Sequence, residues 1–395
     1  MSISTLPLSY CTNVHPGRSL AEVVSGLDDY TVPVRENLGE PLAAGLWLAH
    51  PVIEELLATP DAIERFVAGL VGRNLGCFTL NAFPYGDFHS ARVKQNVYIP
   101  DWADPSRLDY TSRCAQVLAR LMPVGCEGSI STLPLGFKPF DYPPDFFDRA
   151  MAQLIELARR LDELHDETGK VVRLAIEPEP FCILETTDEA IAFFKRLYER
   201  AADADALERV RQSLGLCYDV CHQSVEFEDV TASIAAIDAA GIRINKVHIT
   251  CAVELTNPAG NEPGRKALAR YVEPRYLHQT FARTADDSVL REVDLSERLA
   301  LEPPPEFLQA DSWRVHFHVP VDAEQLGPLS TTRPDLRRAL RAVANLTYAP
   351  HLEVETYTWE VLPDGNKTPL VDGLTRELLA TRALLAEIAV KSTKH

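Results

Sequence analysis

The chain has 395 residues, of which 46% are hydrophobic and 24% are charged, the usual balance of a globular protein. It carries 39 Lys and Arg residues against 57 Asp and Glu residues, so its net charge is −18, which argues against a nucleic-acid partner. No stretch reaches the roughly 18 apolar residues that a membrane span needs, and the N-terminus lacks the pattern of a secretory signal. We therefore predict a cytoplasmic protein without a transmembrane segment.

Eight cysteines are scattered through apolar segments, and no two of them form a C-x-x-C pair. In a chain of this length, such a distribution is typical of reduced, partly buried thiols rather than of a disulfide framework. The cysteines therefore agree with a cytoplasmic location.

Short apolar or β-branched segments alternate with longer amphipathic ones along the chain. Nine of the short segments are predicted strands, at 9–14, 45–49, 77–83, 129–135, 171–177, 214–220, 244–250, 313–321 and 351–359. Most are apolar throughout, as in parallel strands that are buried on both faces. The clearest predicted helices span 146–169, 186–201 and 373–390, with Gly169 ending the first and Thr187 as the expected N-cap of the second.

Strand and helix alternating about eight times indicate either an α/β barrel or a doubly wound sheet. The barrel is favoured because no G-x-G-x-x-G follows the first strand and because polar residues end many strands, not only those beside one crevice. We therefore predict a (β/α)8 TIM barrel, with residues 1–395 forming one domain. The strand centres near 247 and 354 are widely separated, which predicts an inserted subregion at the barrel mouth within 251–350.

Four predicted strands end in a side chain that can bind a metal ion. These residues are Glu177, Asp219, His248 and Glu355. Because strand ends surround one mouth in a barrel, the four side chains should converge there. Three carboxylates and an imidazole suit a divalent ion such as Mn²⁺, Co²⁺, Mg²⁺ or Zn²⁺, and without a cation the carboxylates would raise one another's pKa. We therefore predict a site for one divalent ion.

Two further glutamates lie beside these candidates. Glu179 is held as the alternative to Glu177, because Pro178 and Pro180 place the end of the strand near Glu177. Glu353 points to the same side of its strand as the nearby candidate ligand, so it is either a deeper barrel residue or a partner of the site.

Three histidines are candidates for contacting the substrate. His222 follows the strand-end aspartate by three residues, on the loop over the pocket. His316 and His318 share one face of the extra predicted strand, and with His222 they are candidates for binding a substrate phosphate or a second metal ion. The alternative is that this pair consists of ordinary hydrogen-bonded histidines.

The segment 78–102 follows a strand and is rich in aromatic and polar residues. From it we select Asn81, His89 and Lys94 as substrate-binding residues, since aromatic rings suit sugars and Lys94 suits an anionic group. The alternative is a loop that only packs over the barrel mouth. The chain has no G-x-S-x-G elbow, P-loop, H-E-x-x-H or EF-hand pattern, and we interpret Cys217 as packing rather than as a nucleophile.

The order of Glu177, the D-x-x-H motif at Asp219–His222, His248 and Glu355 resembles that of the xylose-isomerase-like TIM barrels. That superfamily includes sugar and sugar-phosphate isomerases and epimerases as well as endonuclease IV-type hydrolases. The resemblance implies that the two glutamates, the aspartate and His248 bind one divalent ion. It also implies that Glu177 and Glu355 exchange a proton with a carbon beside a carbonyl, and that His222 binds a substrate oxygen.

A second likeness covers nearly the whole chain and concerns the EboE group of metabolite traffic proteins. It rests on the segments YCTNVHPG, TLNAFPYGDFH, VKQNVYIPDW, STLPLGFKP, HFHVP and LEVETYTWEVLP. The resemblance implies a role in the export or maturation of a secondary-metabolite precursor, with partner proteins from the same pathway. The insertion at 251–312 and the HFH segment depart from the simple epimerases and leave room for a second metal ion.

Three functions remain open on the sequence. The leading one is a metal-dependent isomerase or epimerase that acts on a sugar, sugar phosphate or cyclitol-like metabolite by proton transfer between two glutamates. The second is a multinuclear metal-dependent phosphoester hydrolase like the endonuclease IV branch, which would require His316 and His318. The third is a non-catalytic carrier of a metabolite. The substrate, its stereochemistry, the metal and the oligomeric state stay open.

Overall fold

The computed structural model describes residues 4–363 and 368–392. Within these ranges the strands are numbered along the sequence as β1 (Ser9–Cys11), β2 (Leu42–Trp47), β3 (Leu75–Asn81), β4 (Glu127–Thr132), β5 (Val171–Ile176), β6 (Leu214–Asp219), β7 (Ile244–Ile249), β8 (Val253–Thr256), β9 (Thr280–Arg283), β10 (Val289–Glu292), β11 (Ser312–Val315), β12 (Gln325–Leu326), β13 (Leu329–Thr331) and β14 (His351–Val354). Eight of them, β1 to β7 and β14, close into a barrel of parallel strands.

Helices follow or connect most of the strands. They are α1 (Leu20–Gly26), α2 (Val32–Leu38), α3 (His50–Ala58), α4 (Ala62–Gly72), α5 (Pro105–Leu121), α6 (Phe146–Thr168), α7 (Thr187–Asp203), α8 (Leu207–Ser213), α9 (Val220–Val225), α10 (Val230–Ala239), α11 (Glu262–Leu268), α12 (Glu297–Leu301), α13 (Pro305–Leu308), α14 (Arg333–Val343) and α15 (Leu370–Ser392). None of the helices in the described part of the chain is long and apolar enough to cross a bilayer.

The closed barrel confirms the predicted (β/α)8 fold. Eight of the nine predicted strands belong to it, and their continuous apolar runs are buried on both sides, as parallel barrel strands require. The prediction for 313–321 is wrong in its extent. Only Ser312–Val315 is a strand, and it pairs with antiparallel neighbours outside the barrel. His316 and His318 therefore lie beyond the end of that strand.

A second sheet fills the chain between the last two barrel strands. Its six strands lie in the order β10, β9, β11, β8, β13 and β12, and all of the pairings are antiparallel. Strand β8 starts four residues after β7 ends, so the sheet begins directly at the barrel mouth. The sheet lies within the predicted inserted region, and α14 then leads back to β14 and closes the barrel.

The helix ends agree with the sequence pattern, with one correction. Gly169 follows α6 at a φ of 67°, a backbone conformation that favours glycine. The N-cap of α7 is Thr186, not the predicted Thr187. Its side chain accepts from the N–H of Glu189, and the Glu189 side chain accepts from the N–H of Thr186 in return. Thr187 instead donates its hydroxyl to Glu228 at 2.6 Å.

The barrel interior contains a charged pair beneath the mouth. Lys246 Nζ lies 2.6 Å from Glu353 Oε1, and both side chains are fully buried. Ser9 Oγ donates to Glu353 Oε2 at 3.2 Å. Gly45 on β2 makes room for this carboxylate, because a Cβ at position 45 would lie 1.6 Å from Glu353 Oε2. Such a pair tolerates burial only because each charge has its partner.

Candidate metal centre

Four predicted ligands meet at the mouth of the barrel. They are Glu177, Asp219, His248 and Glu355, and each offers a nitrogen or oxygen atom within 4.8 Å of those of the other three. Asp219 is the last residue of β6, and the two glutamates directly follow β5 and β14. The register of the barrel explains the convergence, since His248 on β7 is paired with Asp219 on one side and with Glu353 on the other.

The imidazole of His248 lies at the centre of this group. Its Nδ1 atom is 2.8 Å from Glu177 Oε1, 3.1 Å from Glu355 Oε2 and 3.6 Å from Asp219 Oδ2. One ring nitrogen can donate only one proton, so it cannot satisfy three carboxylates at once. The cluster therefore contains more carboxylate oxygens than the protein supplies with hydrogen-bond donors.

Two of its buried oxygens, Glu177 Oε2 and Asp219 Oδ2, accept no hydrogen bond. The other oxygen of Asp219 is satisfied, because it accepts from the N–H of His222 at 3.0 Å and from Thr250 Oγ1 at 2.7 Å. Unpaired carboxylate oxygens are costly to bury, and a cation removes that cost. The oxygen-rich set with one imidazole therefore suits a divalent ion.

The charges of the cluster differ from one carboxyl to the next. Burial raises the pKa of Glu177 to about 7. Burial also acts on Glu355, but the neighbouring His248 outweighs it and lowers the pKa of Glu355 to about 2. Burial acts on Asp219 as well, but the neighbouring His222, His318 and His248 outweigh it, so the pKa of Asp219 is lowered too. At neutral pH two carboxylates are ionised, and Glu177 is close to its titration point.

Two amides hold Glu355 in place from the opposite side. Its Oε1 atom accepts from Asn13 Nδ2 at 2.9 Å and from Asn81 Nδ2 at 2.8 Å. Asn81 also accepts from the N–H of Phe83 through its Oδ1 atom at 2.9 Å. Asn81, which was predicted to bind substrate, lines the cavity above the cluster, and its side chain is hydrogen-bonded to a predicted ligand and to the loop backbone. Asn81 is the last residue of β3 and Asn13 lies two residues after β1, so the signal in the sequence is that both amides stand at strand ends.

Three imidazoles lie beside the four-residue cluster. The ring centroids of His222, His316 and His318 are 4.5 to 5.5 Å apart. In each ring Nδ1 donates to an oxygen, and the acceptors are the carbonyl of Pro178, Oε1 of Gln279 and the carbonyl of Glu355. A histidine whose Nδ1 is held in this way presents an unprotonated Nε2, which is the usual preparation of a metal ligand.

The Nε2 atoms of two of these histidines have no hydrogen-bond partner. Nε2 of His316 and of His318 are buried without any hydrogen bond. His222 Nε2 and His318 Nε2 each lie 3.9 Å from the unpaired Oδ2 of Asp219. Asp219, His222 and His318 form a second group whose candidate ligand atoms lie within 4.8 Å of one another. Burial lowers the pKa of His222 to about 4 and that of His316 well below its usual range, so both are neutral near pH 7.

Glu179 lies at the same mouth but has other partners. Its Oε1 atom accepts from the hydroxyl of Tyr98 at 2.6 Å and from Gln279 Nε2 at 3.3 Å. Burial raises the pKa of Glu179 to about 8, so the carboxyl is largely protonated at neutral pH. Of the two glutamates that the sequence left open, Glu177 is the one that joins the four-residue cluster.

The two remaining predicted substrate residues differ in position. Lys94 lines the cavity above the cluster, but its Nζ atom donates to Asp294 Oδ2 at 2.6 Å and to the carbonyl of Glu273 at 3.1 Å. His89 lies outside the residues that line the cavity. Its Nε2 atom is 2.9 Å from the carbonyl of Asn13, and its ring packs 5.9 Å from that of Trp47.

A cavity lies above the strand ends. Its polar lining includes Glu177, Glu355, Glu179, His222 and His316. Glu177, whose Oε2 atom accepts no hydrogen bond, is therefore both a member of the candidate metal site and a residue that lines the cavity.

Comparison with known proteins supports the fold. No family model and no curated protein matches the chain. A xylose isomerase-like TIM barrel protein from Mycobacterium smegmatis, solved in complex with magnesium, aligns over 98% of this chain and 99% of its own, at 15% identity and a TM-score of 0.51. The IolI protein, solved with a bound zinc atom, aligns over 97% of this chain and 99% of its own, at 11% identity and a TM-score of 0.50. The chain is therefore similar in fold to the xylose isomerase-like (β/α)8 barrels.

Proposed function

We propose that the protein is an isomerase or epimerase that depends on one divalent metal ion and acts on a small polyhydroxylated metabolite. The observation that carries the proposal is the convergence of Glu177, Asp219, His248 and Glu355 around buried oxygens without partners. The fold neighbours solved with magnesium and with zinc support a metal in this fold. Mn²⁺ and Co²⁺ suit the same donors.

The four residues would hold the ion, which when bound supplies polarisation of a substrate carbonyl. The chain itself supplies the groups that move the proton. Glu177 has an oxygen free of hydrogen bonds and lines the cavity, which suits a base that takes and returns a proton. Glu355 is held by two amides and stays ionised, so it is the second carboxylate for this exchange.

We further propose that the substrate is a sugar, sugar phosphate or cyclitol-like compound from a secondary-metabolite precursor pathway. The pathway rests on the likeness of six sequence segments to the EboE group, and no family model adds to it. With a net charge of −18, the protein is expected to act on a small molecule in the cytoplasm rather than on nucleic acid, alongside other proteins of that pathway.

A second candidate function is hydrolysis of a phosphoester by a multinuclear centre. It is favoured by the imidazoles of His222, His316 and His318, whose Nδ1 atoms are all occupied by oxygen acceptors. A second ion on Asp219, His222 and His318 would satisfy the unpaired Nε2 of His318. Two ions a few ångströms apart are the usual arrangement for displacement at phosphorus.

Elemental analysis of protein purified without chelator or metal-affinity tag decides between these functions. We expect about one ion per chain, strongly reduced in Glu177→Gln and Asp219→Asn and retained in the control Glu163→Gln, whose carboxyl is on the surface of α6. Two or three ions would favour the hydrolase. An absence of metal after reloading with Mn²⁺, Co²⁺ or Zn²⁺ would contradict both enzymes and leave the carrier.

Turnover is tested by incubating the loaded protein with panels of sugars, sugar phosphates and cyclitols in D₂O. Proton exchange beside a carbonyl replaces one carbon-bound hydrogen by deuterium, which proton NMR detects without knowledge of the product. We expect deuterium incorporation with the wild type and none with Glu355→Gln. Full incorporation by Glu355→Gln would overturn the mechanism with two glutamates.

A further inference from the structure

We propose that the substrate of this site is amphiphilic, with a hydroxylated head at the strand ends and an apolar substituent against the outer part of the cavity. For the hydroxylated head of the substrate, the inference rests on the proposed function. It adds the chemical class of the rest of the substrate. We call the apolar part of the cavity lining the outer wall. It consists of Phe83, Phe88, Val93, Val97, Tyr276 and Leu277.

The two ends of the cavity come from different parts of the fold. The polar end is built by residues at the ends of barrel strands, such as Asn13, Glu177 and Glu355. The outer wall comes from the loop that follows β3 and from the segment just before β9. The polar groups are therefore gathered at the strand ends, and the apolar groups lie on the loops that cover them.

Aromatic rings fix part of the outer wall. Phe88 packs 4.9 Å from Tyr276 and 5.4 Å from Tyr357, and the two tyrosine rings are 4.9 Å apart. The hydroxyl of Tyr276 already donates to the carbonyl of Phe88 at 3.2 Å. The mutual packing makes this a formed apolar surface, and such surfaces in ligand cavities take up apolar groups.

The charges of the cavity disfavour a phosphate in its outer part. Among the described residues that line the cavity, Lys94 is the single lysine or arginine. Its ammonium is 2.6 Å from a carboxylate oxygen of Asp294, and its side chain is only 8% exposed. An anionic substituent there would meet no free cation and would lie near the carboxyls of Glu177 and Glu355. An uncharged, apolar substituent needs no cation and is not repelled by the carboxylates.

Two glucosides and a sugar phosphate test the proposal by calorimetric titration of the metal-loaded protein: methyl β-D-glucopyranoside, heptyl β-D-glucopyranoside and glucose 6-phosphate, with glucose as the reference. Each buried methylene adds about fourfold in affinity, so burial of three of the six additional methylenes gives the heptyl glucoside about 60-fold over the methyl glucoside. Glucose 6-phosphate should bind no more tightly than glucose. A heptyl preference below threefold, or a clear preference for glucose 6-phosphate, would overturn the inference.

Variants locate the preference in the outer wall. Leu277→Asp and the milder Leu277→Ala should both lower the ratio of heptyl to methyl affinity. The control Leu301→Asp alters an exposed leucine of α12, which is 45% exposed and does not line the cavity, and should keep the ratio of the wild type. Unchanged ratios in both Leu277 variants would contradict the assignment, and Leu277→Ala covers the case in which the aspartate variant fails to fold.

The same samples separate a failure of this inference from a failure of the proposed function. The metal content is measured on each sample, and the titrations are repeated on protein stripped of metal. If the wild-type protein binds no metal and still prefers the heptyl glucoside, the outer wall is supported and the metal enzyme is rejected. One bound ion together with equal affinity for both glucosides would support the metal site and reject the amphiphilic substrate.

Discussion

His248 Nε2 lies 3.4 Å from Glu353 Oε1, while its Nδ1 atom faces the three carboxylates of the candidate metal centre. The same Glu353 oxygen lies 2.6 Å from Lys246 Nζ. A carboxylate beside the second ring nitrogen of a metal-binding histidine selects its tautomer and orients the ring. We therefore predict that Glu353, from below the site, is a positioning residue for His248.

Glu353→Gln should weaken binding of the divalent ion by about 10- to 100-fold, because the orienting charge on His248 is lost. The ion affinity is measured by competition with a chelator. The substitution also leaves Lys246 without its partner, which destabilises the fold. The double variant with Lys246→Met should regain much of the thermal stability but keep the weak ion affinity. Recovery of both together would show that Glu353 acts through stability alone.

Asn81→Ala should lower kcat by about 10- to 100-fold with little change in KM, because it removes one charge-assisted hydrogen bond to Glu355. The sequence predicted instead that Asn81 binds substrate, which would raise KM. Steady-state kinetics on the substrate found by deuterium incorporation distinguish the two roles. The control is Asn345→Ala at an exposed position, for which both constants should match the wild type.

The barrel and the four strand-end side chains could be predicted from the sequence because both follow simple rules. Buried parallel strands are apolar throughout, and in a closed barrel their ends surround one mouth. The partners of those side chains depend on contacts that no local pattern carries. Asn13 and Asn81 reach Glu355 from 342 and 274 residues away. The apolar, β-branched run WRVHFHVPV predicted one strand that includes His316 and His318. In the structure that strand ends at Val315.

Arg107→Lys should destabilise the protein by about 2 to 3 kcal/mol. Arg107 is fully buried and has three carbonyl acceptors, on Pro100, Ala82 and Phe83. A lysine offers donors from one point and cannot reach carbonyls arranged around a planar guanidinium. Urea denaturation measures the loss, and Arg113→Lys, on a side chain that is 43% exposed, is the control. Equal midpoints for the two variants would contradict this role.

The stability of the protein should fall as the pH drops from about 6.5, in part through His15. Burial lowers the pKa of His15 to about 3, so between that value and about 6.5 the unfolded chain binds a proton that the folded chain does not. Its contribution is complete above pH 6.5 and is lost on acidification. His15→Gln should therefore flatten the pH profile of unfolding by up to about 1.4 kcal/mol per pH unit, as measured in urea.

The control for this pH dependence is His165→Gln, because His165 is exposed on α6. Its profile should run parallel to that of the wild type. If the His15→Gln profile also ran parallel, the buried imidazole would not be a source of the acid sensitivity.

The close approach of β2 to the barrel carboxylate links two positions that are far apart in the chain. Any side chain at position 45 would collide with Glu353, and its Cβ would also lie 2.8 Å from the carbonyl of Tyr10. Relatives that keep the glutamate should therefore keep the glycine, and a larger residue at 45 should appear only with a shorter one at 353. In an alignment of relatives, the residues at positions 45 and 353 should therefore covary. This covariation would identify the Lys246–Glu353 pair even in relatives whose residues at the barrel mouth differ.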